Sequence, residues 1–194
     1  MTDPYCPIDL ASPEEASKGL QEILSGIPLA EAGTITLINN AATVSPLTDL
    51  SRYSDEDIVR NININLTSPA VLQSTFLRLT SASAKKRNIV NITSASAQFP
   101  AGGMSLYGSA KAGLDMLTKC AALEQVGENP ASIVAVDPGM MDTSMQATAR
   151  EAGIGLSDYF AAQKLQGKLK ETDTVAKEII SLLGKVKTGE IVRL

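Results

Sequence analysis

The chain contains no histidine, and it has only two cysteines, Cys6 and Cys120. Without histidine there is no base for Ser-His-Asp or Cys-His nucleophilic catalysis and no imidazole to bind a metal. Two cysteines cannot form a zinc or iron–sulfur site, and they indicate no disulfide framework, which fits a reducing compartment. We therefore expect a cytoplasmic protein with no metal. Any proton chemistry must come from tyrosine, lysine, carboxylate, cysteine or serine side chains.

Basic charge and long apolar runs are also scarce. The chain has 17 Lys and Arg residues against 21 Asp and Glu residues, a net charge of −4, which argues against nucleic acid as a partner. No apolar run approaches the roughly 20 residues that cross a membrane, so no membrane partner is expected. With 194 residues, of which 44% are hydrophobic, the chain is predicted to form one globular domain over residues 1–194.

Short apolar runs rich in β-branched residues alternate with stretches of helical character. The runs predict four buried strands, at Thr34–Ile38, Asn88–Ile92, Ser132–Val136 and Glu190–Leu194. Helices are predicted from Ser12, from Ser54, over Met104–Val126 and over Thr172–Val186. Strands that alternate with helices at these spacings favour parallel βαβ units, and hence an α/β fold with helices on both faces of one sheet.

Two helix starts carry specific signals. Ser12 is followed by Pro13 and two glutamates, which predicts a capped helix with proline at its first position. Ser54 is followed by three acidic residues, which favour the positive end of a helix dipole. We expect Pro69 to kink the long helix that Ser54 opens.

Small and polar residues follow three of the predicted strands. They are Asn39–Ala42, Thr93–Ser96 and Asp137–Thr143. In parallel α/β sheets ligands bind beyond the carboxyl ends of the strands, so the three segments are predicted to line one crevice. Loops between strands and helices often have this composition, so none of the three identifies a site alone.

Tyr107 lies four residues before Lys111, and Ser94 lies thirteen residues before Tyr107. A single Tyr-x-x-x-Lys pair arises readily by chance in a chain of this composition. A much rarer feature is the full set of motifs in this order: NNAA, NINL, the serine, YGSAK, and DPG with a threonine four residues after its glycine. In this order and spacing the set resembles the short-chain dehydrogenase/reductase family, which implies a Rossmann-type doubly wound parallel sheet.

The chemistry of the triplet also follows from its residue types. A tyrosine can donate a proton to a carbonyl oxygen, but it holds that proton until about pH 10. Lys111 sits one helical turn from Tyr107, on the same face, so we expect its ammonium to lower the pKa of Tyr107. Ser94 would hydrogen-bond the carbonyl oxygen as negative charge develops on it.

The resemblance narrows to sepiapterin reductase-like proteins, whose microbial and fungal relatives include α-diketone reductases of the benzil type. It implies an NADP-dependent carbonyl reductase, with NAD not excluded. The substrate would be a small-molecule ketone or α-diketone. The protein would be a homodimer whose interface is formed by the helices Ser54–Thr80 and Met104–Val126. The resemblance makes Ser94, Tyr107 and Lys111 catalytic, and gives Asn65 a supporting water relay. The implied cofactor-binding residues are Tyr107 and Lys111 again, with Asp9, Leu10, Asn40, Ala41, Pro138, Gly139 and Thr143. For Asp9, an approach to the first helix is nearly as good an explanation.

The chain departs from the family pattern at both ends. None of its 14 glycines forms the threonine and Gly-x-x-x-Gly-x-Gly turn that binds the cofactor diphosphate. We therefore expect an N-terminally truncated Rossmann domain without the first βαβα portion, which leaves Thr34–Ile38 as an apolar sheet edge. The aspartate that grips a pterin is absent near Arg193, so a smaller dicarbonyl is favoured, under a flap formed by Met140–Phe160. Met140, Met141 and Met145 suit an adaptable apolar wall or plain packing equally well.

The main alternative is a protein of another class. A truncated relative without the diphosphate-binding turn could be non-catalytic and serve as a dimerisation or interaction partner. The missing turn favours this alternative, whereas the intact set of Ser94, Tyr107 and Lys111 counts against it.

Overall fold

The computed structural model describes residues 5–81 and 86–194. Its centre is a four-stranded, all-parallel sheet in the order β1-β2-β3-β4. The strands are β1 Thr34–Asn39, β2 Lys86–Ile92, β3 Ser132–Asp137 and β4 Ile191–Arg193. All four predicted strands are confirmed to within two residues at each end. The strands could be predicted from continuous runs of β-branched residues, because a strand that is covered on both faces carries apolar side chains at every position instead of alternating with polar ones.

Helices cover both faces of the sheet. They are α1 Pro13–Ser25, α2 Asp55–Ile62, α3 Ser68–Thr80, α4 Ser105–Leu123, α5 Ser144–Glu151, α6 Ser157–Leu165 and α7 Thr172–Leu182. Side chains of α1, α3 and α4 form one core with Ile89 of β2, and side chains of α7 form a second core with Val90. Since successive strand residues point to opposite faces, this alternation places helices on both sides. The predicted doubly wound α/β fold is confirmed.

Two expectations about helix starts and bends need correction. The Ser12 side chain makes no capping hydrogen bond, although Pro13 does begin α1. The long helix is not simply kinked at Pro69: a π-helical turn over Asn63–Thr67 separates α2 from α3. Proline cannot donate the hydrogen bond that an α-helix requires at that position, so the backbone widens in the preceding turn. Ser54 and Asp57, by contrast, form a complete capping box at α2.

Strand β1 forms one edge of the sheet and pairs only with β2 in the part of the chain that is described. Ile38 of β1 is 43% exposed, as expected for an apolar edge residue. Among the described residues, no helix is both long and apolar enough to cross a membrane.

Asn91 links β2 to three other elements from a fully buried position. Its Oδ1 accepts a hydrogen bond from Asn39 Nδ2 of β1 at 2.8 Å, and its Nδ2 donates to Thr118 Oγ1 of α4 at 2.8 Å and to Gln73 Oε1 of α3 at 3.2 Å. Polar groups buried this deeply are stabilising only while they remain paired. The network therefore fixes where α4 sits on the sheet.

We expect Asn91→Ala to lower the free energy of unfolding by about 2–4 kcal/mol, because it removes three buried hydrogen bonds and leaves Asn39 Nδ2 and Gln73 Oε1 without that partner. Asn88→Ala is the matched control on the same strand. Asn88 makes one long hydrogen bond, to Thr36 Oγ1 at 3.3 Å, so about 1 kcal/mol or less is expected. Urea denaturation measures both, and equal losses in the two variants would contradict the role given to the network.

Candidate active site

The predicted triplet comes together at the carboxyl edge of β2. Ser94 follows β2 and opens a short 3₁₀ turn at Ala95–Ala97, where its Oγ accepts a hydrogen bond from Ser96 N at 3.2 Å. Tyr107 lies in the first turn of α4. Its neighbour Gly108 allows the close approach, since a Cβ there would lie 3.0 Å from Ser96 O. A larger residue would push α4 away from the Ser94 turn.

Tyr107 is buried, with 7% of its surface exposed, and its hydroxyl interacts with the Ser94 side chain. Burial raises the pKa of Tyr107, the hydrogen bond with Ser94 opposes that rise, and the Asp137 carboxylate adds to it. The expectation that the pKa of Tyr107 lies below its ordinary value is therefore wrong, because burial outweighs any lowering by the Lys111 charge. Tyr107 is protonated at neutral pH, which is the state of a proton donor.

Lys111 is buried next to Tyr107. Its Nζ donates to Ile92 O at 2.7 Å and lies over the Tyr107 ring, 5.6 Å from the ring centroid. Burial lowers the pKa of Lys111 to about 8, and the Asp115 carboxylate opposes the fall. The side chain is 3% exposed.

The donor set of Lys111 fits a nicotinamide cofactor. An ammonium has three N–H donors, and the bond to Ile92 O uses one of them. Ammonium donors this deeply buried need further acceptors, and sugar hydroxyls of a bound dinucleotide supply acceptors of that kind. The residues present therefore suit the ribose of such a cofactor.

Asn65 lies in the π-helical turn, and its side chain is saturated within the protein. Oδ1 accepts from Thr43 N at 2.9 Å, while Nδ2 donates to Thr43 O at 2.8 Å and to Asn61 Oδ1 at 2.9 Å. The side chain thus ties the loop after β1 to the helix. Pro69, four residues on, has no N–H to donate to the Asn65 carbonyl. A water relay at Asn65 would therefore use its backbone carbonyl rather than its amide.

The predicted cofactor-binding residues fall into two groups. Asn40 and Ala41 follow β1, Pro138 and Gly139 follow β3, and Thr143 caps α5, so these five border the crevice at the carboxyl edge. Gly139 needs to be glycine, because its φ is +74°.

Asp9 and Leu10 contact the helices beside the crevice. Asp9 forms an exposed ion pair with Arg60 at 3.7 Å, and Leu10 O accepts from Ser68 Oγ at 2.7 Å. Neither contact is with Ser94 or Tyr107. Asp9 also accepts from Ala11 N at 2.9 Å, as a residue approaching α1 would.

A cavity of about 210 Å³ adjoins Ser94. It is lined by Thr93, Ser94, Gln98, Asp115, Asp137, Ile191, Val192 and Arg193. Thr93 Oγ1 and Asp115 Oδ1 are both buried, and the Thr93 side chain interacts with the Asp115 carboxyl. Burial raises the pKa of Asp115. Asp115 was not predicted as a site residue, although its position four residues after Lys111 puts both on one helix face.

The segment predicted as a flap contains α5 and α6. Met145, Ile154, Leu156 and Phe160 pack around the cluster of Val44, Met104 and Tyr107. This packing covers the apolar side of Tyr107. Of the three methionines considered for an apolar wall, Met145 belongs to this cluster.

Comparison with known proteins gives a consistent family match. The family model for short chain dehydrogenases matches residues 4–153. The chain is 38% identical to the benzil reductase ((S)-benzoin forming) of Bacillus cereus over 96% of this chain and 78% of that protein. It is 34% identical to the sepiapterin reductase of Rattus norvegicus over 85% of this chain and 65% of that protein.

A solved structure shows the same fold. The crystal structure of a short chain dehydrogenase from Burkholderia cenocepacia in complex with NADP aligns with a TM-score of 0.76 and 23% identity. The alignment covers 96% of this chain and 73% of that one.

The buried charge of Lys111 should lower the free energy of unfolding at neutral pH. Below pH 8 the lysine is charged in both states, and between pH 8 and about 10.4 the unfolded chain binds more protons. The free energy of unfolding should therefore rise with pH across this window. Lys111→Met should raise it by about 1–3 kcal/mol at pH 7 and remove that rise, as measured by urea denaturation from pH 7 to pH 10.

Lys119→Met is the matched control, because Lys119 is exposed on the same helix. It should leave both the stability and its pH dependence close to those of the unchanged chain. Identical pH profiles for Lys111→Met and Lys119→Met would contradict the buried charge at Lys111.

Proposed function

This chain belongs to the short-chain dehydrogenase family of NAD(P)-dependent oxidoreductases, and we propose that it reduces a ketone or α-diketone with NADPH. The observation that carries the proposal is the placement of Ser94 next to the protonated Tyr107, with the buried Lys111 lying over the Tyr107 ring. The similarity to benzil reductase supports a diketone substrate. The free thiols of Cys6 and Cys120 support a cytoplasmic location.

Ser94 and Tyr107 would bind the oxygen of the carbonyl to be reduced. Both hydroxyls lie at the same edge of the sheet, so one oxygen can accept hydrogen bonds from both. Negative charge grows on that oxygen as the carbonyl carbon is reduced, and these donors become stronger as it does. Tyr107 then gives its proton to the oxygen, so that the ketone becomes an alcohol.

Lys111 would act on the tyrosinate that this proton transfer leaves. Its charge over the ring face, 5.6 Å from the centroid, favours the anionic ring more than the neutral phenol. Little water screens the pair because both side chains are buried. The backbone carbonyl of Asn65 is suited to hold a water that returns a proton toward Lys111.

The bound nicotinamide dinucleotide supplies the hydride. Lys111 would hold its ribose, Pro138, Gly139 and Thr143 would lie against the nicotinamide, and Asn40 and Ala41 would line its path. Asp9 and Leu10 are proposed to meet the adenine. The choice of NADPH over NADH rests on the resemblance to sepiapterin and benzil reductases.

A homodimer would bury the exposed apolar side of α2 and α4. Met116 and Leu123 of α4 are 58% and 82% exposed and lie two turns apart on one face. Val59 of α2 is 59% exposed, and α2 packs against α4. Apolar side chains grouped in this way favour association of two copies.

Tyr107→Phe should lower kcat for ketone reduction by about 10²–10⁴-fold, because the proton donor is removed. NADPH affinity should change by no more than about threefold, since the packing of the ring is kept. Loss of NADPH absorbance measures turnover, and fluorescence titration measures affinity. Tyr5→Phe is the control, because Tyr5 is 90% exposed.

Equal turnover in the two tyrosine variants would contradict the role of Tyr107. No NADPH binding up to millimolar concentration would contradict the reductase proposal for this chain. That result would favour a non-catalytic interaction partner.

Met116→Glu should convert a dimer to a monomer, because it places a charge in the buried part of the interface. Sedimentation velocity measures the change in mass. Leu165→Glu is the control on α6, where Leu165 is 88% exposed, and it should leave the mass unchanged. A dimer that survives Met116→Glu would place the interface elsewhere.

A further inference from the structure

Arg193 shares the cavity beside Ser94. It ends β4, at the carboxyl edge of the sheet where ligands bind in this architecture. Ser94, Gln98 and Arg193 all line the same cavity of about 210 Å³. A ligand in this cavity can therefore contact Ser94 and Arg193 at the same time.

The guanidinium of Arg193 is held from two sides. Its Nε donates to Asp137 Oδ2 at 3.0 Å, and its central carbon lies 5.5 Å from the centroid of the Phe99 ring. Asp137 is itself buried and fixed, since its other oxygen accepts from Gly139 N at 3.1 Å. Because these contacts already hold the guanidinium in one orientation, the Arg193 side chain loses little further conformational entropy when a ligand binds.

Most of the hydrogen-bonding capacity of Arg193 is left over. A guanidinium has five N–H donors, and the bond to Asp137 uses the one on Nε. The two terminal nitrogens have no hydrogen-bond partner within residues 5–81 and 86–194, and the side chain is 52% exposed. Any cation, such as a lysine, would neutralise Asp137. The planar guanidinium of Arg193 adds terminal N–H donors that are held in place, and these suit the oxygen of a ligand.

We propose that Arg193 selects substrates with a second carbonyl next to the one that is reduced. Ser94 and Tyr107 bind the reacting oxygen, and a terminal nitrogen of Arg193 donates to the oxygen of the adjacent carbonyl. The inference rests on the proposed ketone reduction and names its substrate class as neutral vicinal diketones. Arg193 is a specificity-determining residue in this account, and the proton still comes from Tyr107.

Charge favours a neutral diketone over a 2-oxoacid. Two carboxylates, Asp115 and Asp137, line the cavity, and Arg193 compensates one of them. A substrate carboxylate would be repelled by the ionised form of the remaining acid, Asp115. A neutral carbonyl oxygen accepts the same hydrogen bond without that repulsion.

The test compares kcat/KM for 1-phenylpropane-1,2-dione with kcat/KM for its two monoketones, 1-phenylpropan-1-one and 1-phenylpropan-2-one, using NADPH. The measured quantity is the diketone-to-monoketone ratio, which removes effects common to all three ketones. In Arg193→Gln the ratio should fall by about 10- to 100-fold, the range for losing a hydrogen bond to a charged group. In the absence of NADPH, so that no reduction takes place, calorimetry should show that Arg193→Gln binds the diketone more weakly by a similar factor.

Arg193→Lys separates the guanidinium from its charge. It keeps a cation beside Asp137 but lacks the planar donors, so its ratio should fall as in Arg193→Gln. Arg78→Gln, an exposed arginine on α3, should leave the ratio within about twofold of the unchanged chain. Thermal melting and NADPH titration verify that each variant is folded.

Three results would overturn the inference. The first is an unchanged ratio in Arg193→Gln. The second is a ratio that falls in Arg193→Gln and is kept in Arg193→Lys, which would assign the effect to charge alone. The third is faster reduction of phenylglyoxylate than of the diketone by the unchanged chain. Failure to reduce any ketone would instead overturn the proposed function, and the inference with it.

Discussion

The hydrogen bond from Lys111 to the Ile92 carbonyl is the contact on which the site depends. At 2.7 Å it ties the first half of α4 to the end of β2, and so places Tyr107 over the turn that carries Ser94. The Asn91 network fixes the same helix to the same strand from deeper in the core. Without these polar contacts, the apolar packing of α4 would allow small shifts along the sheet. Such shifts would separate two hydroxyls that bind one oxygen in the proposed mechanism.

The site is built at the expense of stability. Lys111 and Asp115 lie buried on one face of α4, and the buried Thr93 lies against Asp115. Groups of this kind are retained where chemistry requires them, since burial is what shifts their pKa and removes competing water. The raised pKa of Tyr107 follows from the same burial. A proton donor that is neutral at rest and forms its anion beside a fixed ammonium suits carbonyl reduction.

Sequence patterns located the elements of this fold better than their junctions. The strand ending at Ile92 and the helix carrying Tyr107 were predictable because β-branched runs and helical periodicity are local properties. The π-helical turn around Asn65 was not, since it depends on how Pro69 is accommodated by neighbouring elements. The pKa of Tyr107 was predicted in the wrong direction because burial, a tertiary property, outweighs a charge one turn away. Arg193 lies 99 residues beyond Ser94 in the chain, so only the folded sheet brings them to one cavity.

Hydride transfer to a diketone tests the central claim most directly. The purified chain would be incubated with NADPH deuterated at the transferring position of the nicotinamide and with 1-phenylpropane-1,2-dione, and the product analysed by mass spectrometry. The account predicts a hydroxyketone that carries one deuterium on the newly formed carbinol carbon. A product without deuterium, or no product although NADPH binds, would contradict the assignment of Ser94, Tyr107 and Lys111 as a carbonyl-reducing site.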